Sequence, residues 1–285
     1  TIATSGGTDG SGDITINAAI SKTAGSTGSL TLTADRNIIV NAAISASGTN
    51  VTLPLTLNAA GTISGNASGT LNTNGGLLTL NAGASSGTLA GVISGTGDLT
   101  KTGAGTTVLS GANTYTGVTT ISAGVLSVST LANGGSASGI GASTNAASNL
   151  VLDGGTLQYT GTGGTGGTTD HLFTLTGNGG TLDSSGTGGL TISNTGAIAH
   201  LGGATPRTLI LGGNTGATFN PLLTDSVPVT GMTTLQRSSA STGTNWVIKN
   251  SSNSYSGGTI ISTGGGGMLL NAPAAFGTGT VTVSN

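Results

Sequence analysis

The chain of 285 residues has no cysteine, no glutamate, five prolines, and only three Tyr, three Phe and one Trp. Without cysteine there can be no disulfide framework, zinc–thiolate site or thiol nucleophile. Charged residues make up 5% of the chain, against about 25% in an ordinary globular domain. The formal net charge of -2 leaves no electrostatic footprint for nucleic acid or for an anionic membrane surface. No apolar run approaches the 18 or so residues of a spanning helix, and Thr1 opens no secretory signal. Seven aromatic side chains are also too few to fill a globular core of this length.

What the chain does have is 55 glycines, and glycine with Ser, Thr and Asn makes up more than half of it. Such compositions often belong to disordered linkers. Two features oppose that reading: 34% of the residues are hydrophobic, with a mean hydropathy of +0.23, and they are periodic rather than scattered. Ile14-Thr15-Ile16, Leu30-Thr31-Leu32, Leu55-Thr56-Leu57, Leu78-Thr79-Leu80, Leu209-Ile210-Leu211 and Val281-Thr282-Val283 are triplets whose outer residues share an apolar face. Period-2 alternation of β-formers, punctuated by Gly, Asn, Ala and Ser, specifies short strands and tight corners. No stretch sustains a 3.6-residue period, so no significant helix is expected.

The strands recur. Asn17-Ala18-Ala19-Ile20 returns as Asn41-Ala42-Ala43-Ile44, Leu55-Thr56-Leu57-Asn58-Ala59 as Leu78-Thr79-Leu80-Asn81-Ala82, and Gly154-Gly155-Thr156-Leu157 as Gly179-Gly180-Thr181-Leu182. A period of about two dozen residues fits three short strands and three corners, one coil of a solenoid. The expected fold is all-β: a right-handed parallel β-helix (β-solenoid) of about 11–13 coils, each strand pairing with its equivalent one coil away. Stacked aliphatic side chains then form a thin core that needs few aromatics, and asparagines at corners can stack into amide ladders. Low charge suits the architecture, because like charges repeated in register would sit on top of one another. The whole of 1–285 reads as one β-helix segment, with loop insertions near 132–149, 160–169 and 219–245, the last holding Pro221 and Pro228. Its ends fall in mid-pattern, as in a piece of a longer polypeptide or a subunit that stacks end to end.

Within this pattern, Gly97-Asp98-Leu99-Thr100-Lys101 through Ser110-Gly111-Ala112-Asn113-Thr114-Tyr115-Thr116-Gly117-Val118-Thr119-Thr120-Ile121 to Leu126 resembles the autotransporter-associated β-strand repeat. A degraded second copy lies 140 residues on, from Trp246 through Asn253-Ser254-Tyr255-Ser256-Gly257-Gly258-Thr259-Ile260-Ile261 to Gly264, with Asn250-Ser251-Ser252 in place of Ser110-Gly111-Ala112. The shared motif residues are Asn113, Tyr115, Gly117, Thr119 and Ile121, matched by Asn253, Tyr255, Gly257, Thr259 and Ile261. Residues 1–95 look more like filamentous-haemagglutinin coils, and 96–285 like autotransporter-repeat coils. The resemblance implies a bacterial surface or secreted protein of the Gram-negative outer membrane: a rigid, non-enzymatic stalk, presenting contacts to glycans, host or neighbouring cells, or sister rods. Alternatives are a subunit of an extracellular filament or sheath and a polysaccharide-degrading β-helix enzyme. No cofactor, nucleic acid or membrane insertion by this segment is expected.

The enzyme alternative needs carboxylates within about 5–10 Å of each other. The aspartates are 9, 13, 35, 98, 153, 170, 183 and 225. Asp9 and Asp13 share a glycine-rich turn. A 25-residue alignment sets Asp153 over Asn178 and Asp183 over Gln158, so that pair does not stack. Asp170-His171 and His200 are the acid–imidazole candidates; with no Gly-x-Ser-x-Gly elbow, loop-edge histidines are the expected reading. The stretch 163–170 has its Asp displaced from a calcium-repeat pattern and lacks further oxygen ligands, while 161–166 matches a dinucleotide fingerprint by letters but opens no helix. Tyr115 and Tyr255 are expected to cap corners, with Asn113 and Asn253 bonding the local turn, and Trp246 to sit in the core.

Overall fold

The computed structural model describes residues 1–4, 12–26, 28–162, 167–227, 229–238, 244–262, 266–271 and 275–284. Asp9, Pro228 and residues 163–166 therefore lie outside the described residues. The chain forms two compact units: Thr1–Val128 with Gly135–Ser143, and Ser129–Gly134 with Thr144–Asn285. Each winds as a parallel β-solenoid, and together they make about 11 turns. Among the described residues the one helical element is a single 3-10 turn, Ala147–Asn149.

In the first unit, one sheet is built from Ile2–Ala3, Leu30–Ala34, Leu55–Ala59, Leu78–Ala82, Leu99–Thr102 and Thr119–Ile121. A second stacks Ile14–Ile16, Ile38–Val40, Ile63–Gly65, Ser86–Leu89, Thr106–Leu109 and Val125–Val128. The third is shorter: Ile20–Lys22, Ile44–Ala46, Leu71–Asn72 and Ile93–Ser94. The repeats set the register. Leu55–Ala59 pairs with Leu78–Ala82 residue for residue, so Leu meets Leu and Asn meets Asn. Alternation puts Leu32, Leu57 and Leu80 wholly inside. Each such aliphatic side chain contributes roughly 1.5–3 kcal/mol by leaving water. The outward Asn residues do form amide ladders: Asn81 Nδ2 donates to Asn58 Oδ1 (2.8 Å) and Asn41 Nδ2 to Asn17 Oδ1 (3.1 Å).

The second unit repeats the scheme with Leu150–Leu152, Thr174–Leu175 and Ala199–His200 in one sheet. Another runs through Thr156–Tyr159, Gly180–Ser184, Arg207–Gly212, Thr233–Arg237, Thr259–Ser262 and Val281–Ser284, and a third through Gly167–Thr169, Leu190–Ile192, Ala217–Phe219, Trp246–Ile248 and Met268–Leu270. Trp246 is fully buried and donates from Nε1 to the Gly212 carbonyl (2.9 Å); Phe173 meets Phe219 edge-on at 6.3 Å.

The irregular segments hold more structure than their composition suggests. The stretch 160–169 ends in the strand Gly167–Thr169, and 219–245 contains Thr233–Arg237, in register with Arg207–Leu211. Glycine in the first stretch, and proline with little alternation in the second, lower the strand signal, but pairing with the neighbouring coil supplies what local propensity lacks.

Candidate functional site

The two motif copies build the same clamp, one in each unit. In the first, Asn113 is fully buried; its Oδ1 accepts from the Ile93 N–H (2.9 Å) and its Nδ2 donates to the Gly139 carbonyl (3.2 Å). In the second, Asn253 Oδ1 accepts from the Leu223 N–H (2.9 Å) and Nδ2 donates to the Ala275 carbonyl (2.7 Å). The amide thus joins the coil before it to the coil after it, where a local turn bond was expected. A side-chain amide can do this because it offers an acceptor and two donors on one planar group.

The tyrosines correct the corner-cap expectation in the same way. Tyr115 is 1% exposed and Tyr255 0%; both rings lie inside. The Tyr115 hydroxyl lies 2.7 Å from Thr119 Oγ1, and the Tyr255 hydroxyl 2.6 Å from Thr259 Oγ1. Each threonine donates onward to a carbonyl of the following coil, Ile140 (3.3 Å) or Phe276 (3.5 Å), leaving the phenol as donor to the threonine. Burial drives both phenols above their usual range, Tyr255 to about 12. Gly117 and Gly257 sit so close to the coil below that a Cβ would collide with the carbonyls of Gly97 and Thr233. Ile121 is fully buried, whereas Ile261 is half-buried, because its rung neighbour Val283 is itself exposed.

Beneath each clamp lies a group that sequence patterning missed. Lys101 and Arg237 are both fully buried, each directly under the motif isoleucine in the ladders Leu80–Lys101–Ile121 and Leu211–Arg237–Ile261. Main-chain carbonyls solvate them. Lys101 Nζ donates to Thr102 (2.6 Å), Gly103 (2.9 Å) and Ala123 (3.3 Å); Arg237 donates to Leu211 (2.7 Å), Gly213 (3.2 Å) and Thr244 (3.3 Å). Desolvation lowers Lys101 to about 8 and shifts Arg237 down as well. The signal was present as Leu-x-Lys and Leu-x-Arg, but a cation in an alternating triplet reads as outward-facing.

Among the catalytic candidates, Asp170 lies near His171 and Asp225 near His200, and Asp153, Asp170 and Asp225 are held by hydrogen bonds to neighbouring coils. Gln158 pairs with Asp183, and Asn178 Nδ2 donates to Asp153 Oδ1 (2.8 Å). Asp170 is taken up by the Gly134 N–H (2.7 Å) and Asn145 Nδ2 (2.8 Å), while Asp13 accepts from Asn37 and pairs with Arg36 at 3.4 Å. His171 lies, as expected, in the loop between Gly167–Thr169 and Thr174–Leu175, but that loop turns its ring inward. It is 1% exposed, and neither ring nitrogen has a hydrogen-bond partner among the described residues. Phe173 and Leu175, two and four residues further on, are buried as well. His200 Nε2 meets Thr224 Oγ1 at 3.1 Å. Among the described residues no group of three or more acidic or imidazole side chains could hold a metal ion.

Comparison with known proteins agrees with this anatomy. Residues 99–128, which contain the first clamp and Lys101, match the passenger-associated-transport-repeat family. Over 180 residues the chain is 38% identical to the adhesin BmaC autotransporter of Brucella suis biovar 1 (strain 1330). That alignment covers 62% of this chain and 4% of the adhesin, so the chain corresponds to a small part of that protein's length. No solved structure gives a match. The chain is a parallel β-solenoid that carries a passenger-associated-transport repeat and resembles an autotransporter passenger region.

Proposed function

We propose that this chain is a non-enzymatic stalk segment of an autotransporter-type adhesin on the bacterial cell surface, where it presents hydroxyl- and amide-rich faces to glycans or to other cells. The observation that carries the reading is the 38% identity to an adhesin autotransporter, together with the matched repeat. The physics of the fold supports it. A stack of short ladders is stiff and offers few unpaired strand edges along its length.

The use made of the aspartates supports a non-enzymatic role. Six of the eight are occupied as braces. Asp13, Asp153 and Asp170 accept from amide groups, Asp98 from the Val118 N–H, Asp183 from Ser185, and Asp225 from the Thr233 and Ser256 N–H groups. A catalytic acid needs a carboxyl free to exchange its proton with substrate.

The test incubates the purified chain with a polysaccharide panel and, in parallel, applies chain-coated beads to cultured mammalian cells. The expected result is bead attachment with no release of sugar fragments. Fragment release abolished by Asp170→Asn or Asp183→Asn would overturn the non-enzymatic reading, and beads that bind no better than albumin-coated controls would overturn the adhesive one.

A further inference from the structure

We propose that Gly135–Ser143 is a strap that latches onto the Asn113–Tyr115–Thr119 clamp and covers the end of the first unit's short third sheet. Three independent features point to it. The strap belongs to the first unit although the residues on either side, Ser129–Gly134 and Thr144 onward, belong to the second. In the first unit the third sheet has four strands where the other two have six, and it is over the continuation of this short sheet, at Asn113, that the strap lies. The sheets pair in parallel, but Asn113 and Ser138 form an antiparallel bridge, exchanging both backbone hydrogen bonds at 3.1 Å. Reversing the chain direction ends the column, because a further coil cannot continue it in the same parallel pattern. An edge that would otherwise accept another strand is thereby covered.

The contacts of the strap are those of a fitted latch. Asn113 Nδ2 holds the Gly139 carbonyl, Thr119 holds the Ile140 carbonyl, and the Ala142 N–H donates to the Tyr115 carbonyl (2.8 Å). Ile140 is 2% exposed. A tight turn shapes the strap, with the Gly141 N–H and the Ser138 hydroxyl closing it internally. Gly141 has φ +84°, and a Cβ there would strike the Tyr115 carbonyl and ring. The second unit repeats the docking. Gly277 has φ +66° against Tyr255, and the Thr278 N–H donates to the Tyr255 carbonyl (2.9 Å). The family match ends at residue 128, so the latching half of the device lies beyond the recognised repeat.

Because Gly141 tolerates no side chain, Gly141→Ala is a strap-release variant, and Tyr115→Phe is a gentler one that acts indirectly, loosening Thr119, whose hydroxyl holds the strap at Ile140, by removing its phenol partner. Amide hydrogen exchange reads the result on the intact chain. Exchange at Ser138 and Ala142, whose N–H groups bond the clamp, and at Ile93, whose N–H is held by the Asn113 side chain, is expected to quicken by about tenfold or more in Gly141→Ala and by less in Tyr115→Phe. Protection at Leu57 and Leu80, deep in the same unit, is expected to persist. Unchanged exchange at the three latch amides in both variants would overturn the proposal. So would loss of protection at Leu57 and Leu80 equal to that at the latch, since the segment would then be an integral coil and not a strap.

Discussion

Lys101 stands in the same inward ladder position as Leu80, one rung away, and both side chains are fully buried. An ammonium group in an aliphatic column survives there because three main-chain carbonyls at the adjoining corner replace its water. Arg237 has the same relationship to Leu211 in the second unit. Two of the chain's six basic residues are thus interior bolts beneath the motif copies.

Burial lowers Lys101 from its usual 10.5 to about 8. Between those values the unfolded chain holds a proton that the folded chain has released, so stability rises with pH. The gain from pH 8 to 10 is about 2–3 kcal/mol. Above 10 the buried tyrosines reverse the trend, because unfolded phenols ionise while the folded ones, held above their usual range, stay neutral. Urea midpoints of the first unit at pH 7.5, 9 and 10 measure this, and Lys101→Met is expected to flatten the rise.

Ile121 and Ile261 hold the same motif position but differ in burial. Ile121→Ala is expected to cost about 2–5 kcal/mol as a full core truncation, and Ile261→Ala about half as much. Equal shifts in urea midpoint would show that the open rung beside Ile261 does not matter.

Tyr115→Phe and Tyr255→Phe each remove one buried hydroxyl and leave a threonine with its carbonyl partner. Each is expected to destabilise its own unit by about 0.5–1.5 kcal/mol. The emission of Trp246, buried in the second unit, is expected to report the Tyr255 change and not the Tyr115 change; a Trp246 transition moved equally by both would contradict this.

His171, desolvated and with no partner for either ring nitrogen among the described residues, takes a proton less readily than its usual 6.5, despite the nearby charge of Asp170. The unfolded chain protonates first as pH falls. Stability of the second unit is therefore full above about 6.5 and declines below it. Acid titration followed by Trp246 emission shows the loss, and His171→Phe is expected to remove part of it, the remainder belonging to His200, which burial and Arg207 lower too.

The repeats made much of the fold legible. Leu55–Ala59 and Leu78–Ala82 are the same pentapeptide, and identical strands in parallel register bring identical residues together, so spacing alone yields the stacking. The motif copies were legible as a recurring pattern. What lay hidden was how their polar members are used. Tyr115 reads as a corner residue because a phenol is amphipathic, and Lys101 reads as exposed because a cation normally is.

The sequence by itself determined the architecture: alternation sets which face is apolar, glycine and asparagine set the corners, and the two-dozen-residue period sets the parallel stacking. The tertiary structure alone decided where the buried polar groups find partners. Asn113 depends on Ile93 and Gly139, 20 and 26 residues away in opposite directions, and Lys101 depends on carbonyls at the next corner. Local patterning records whether a side chain is apolar. It does not record whether distant backbone will be present to satisfy a polar one, and that satisfaction is what permits these residues inside.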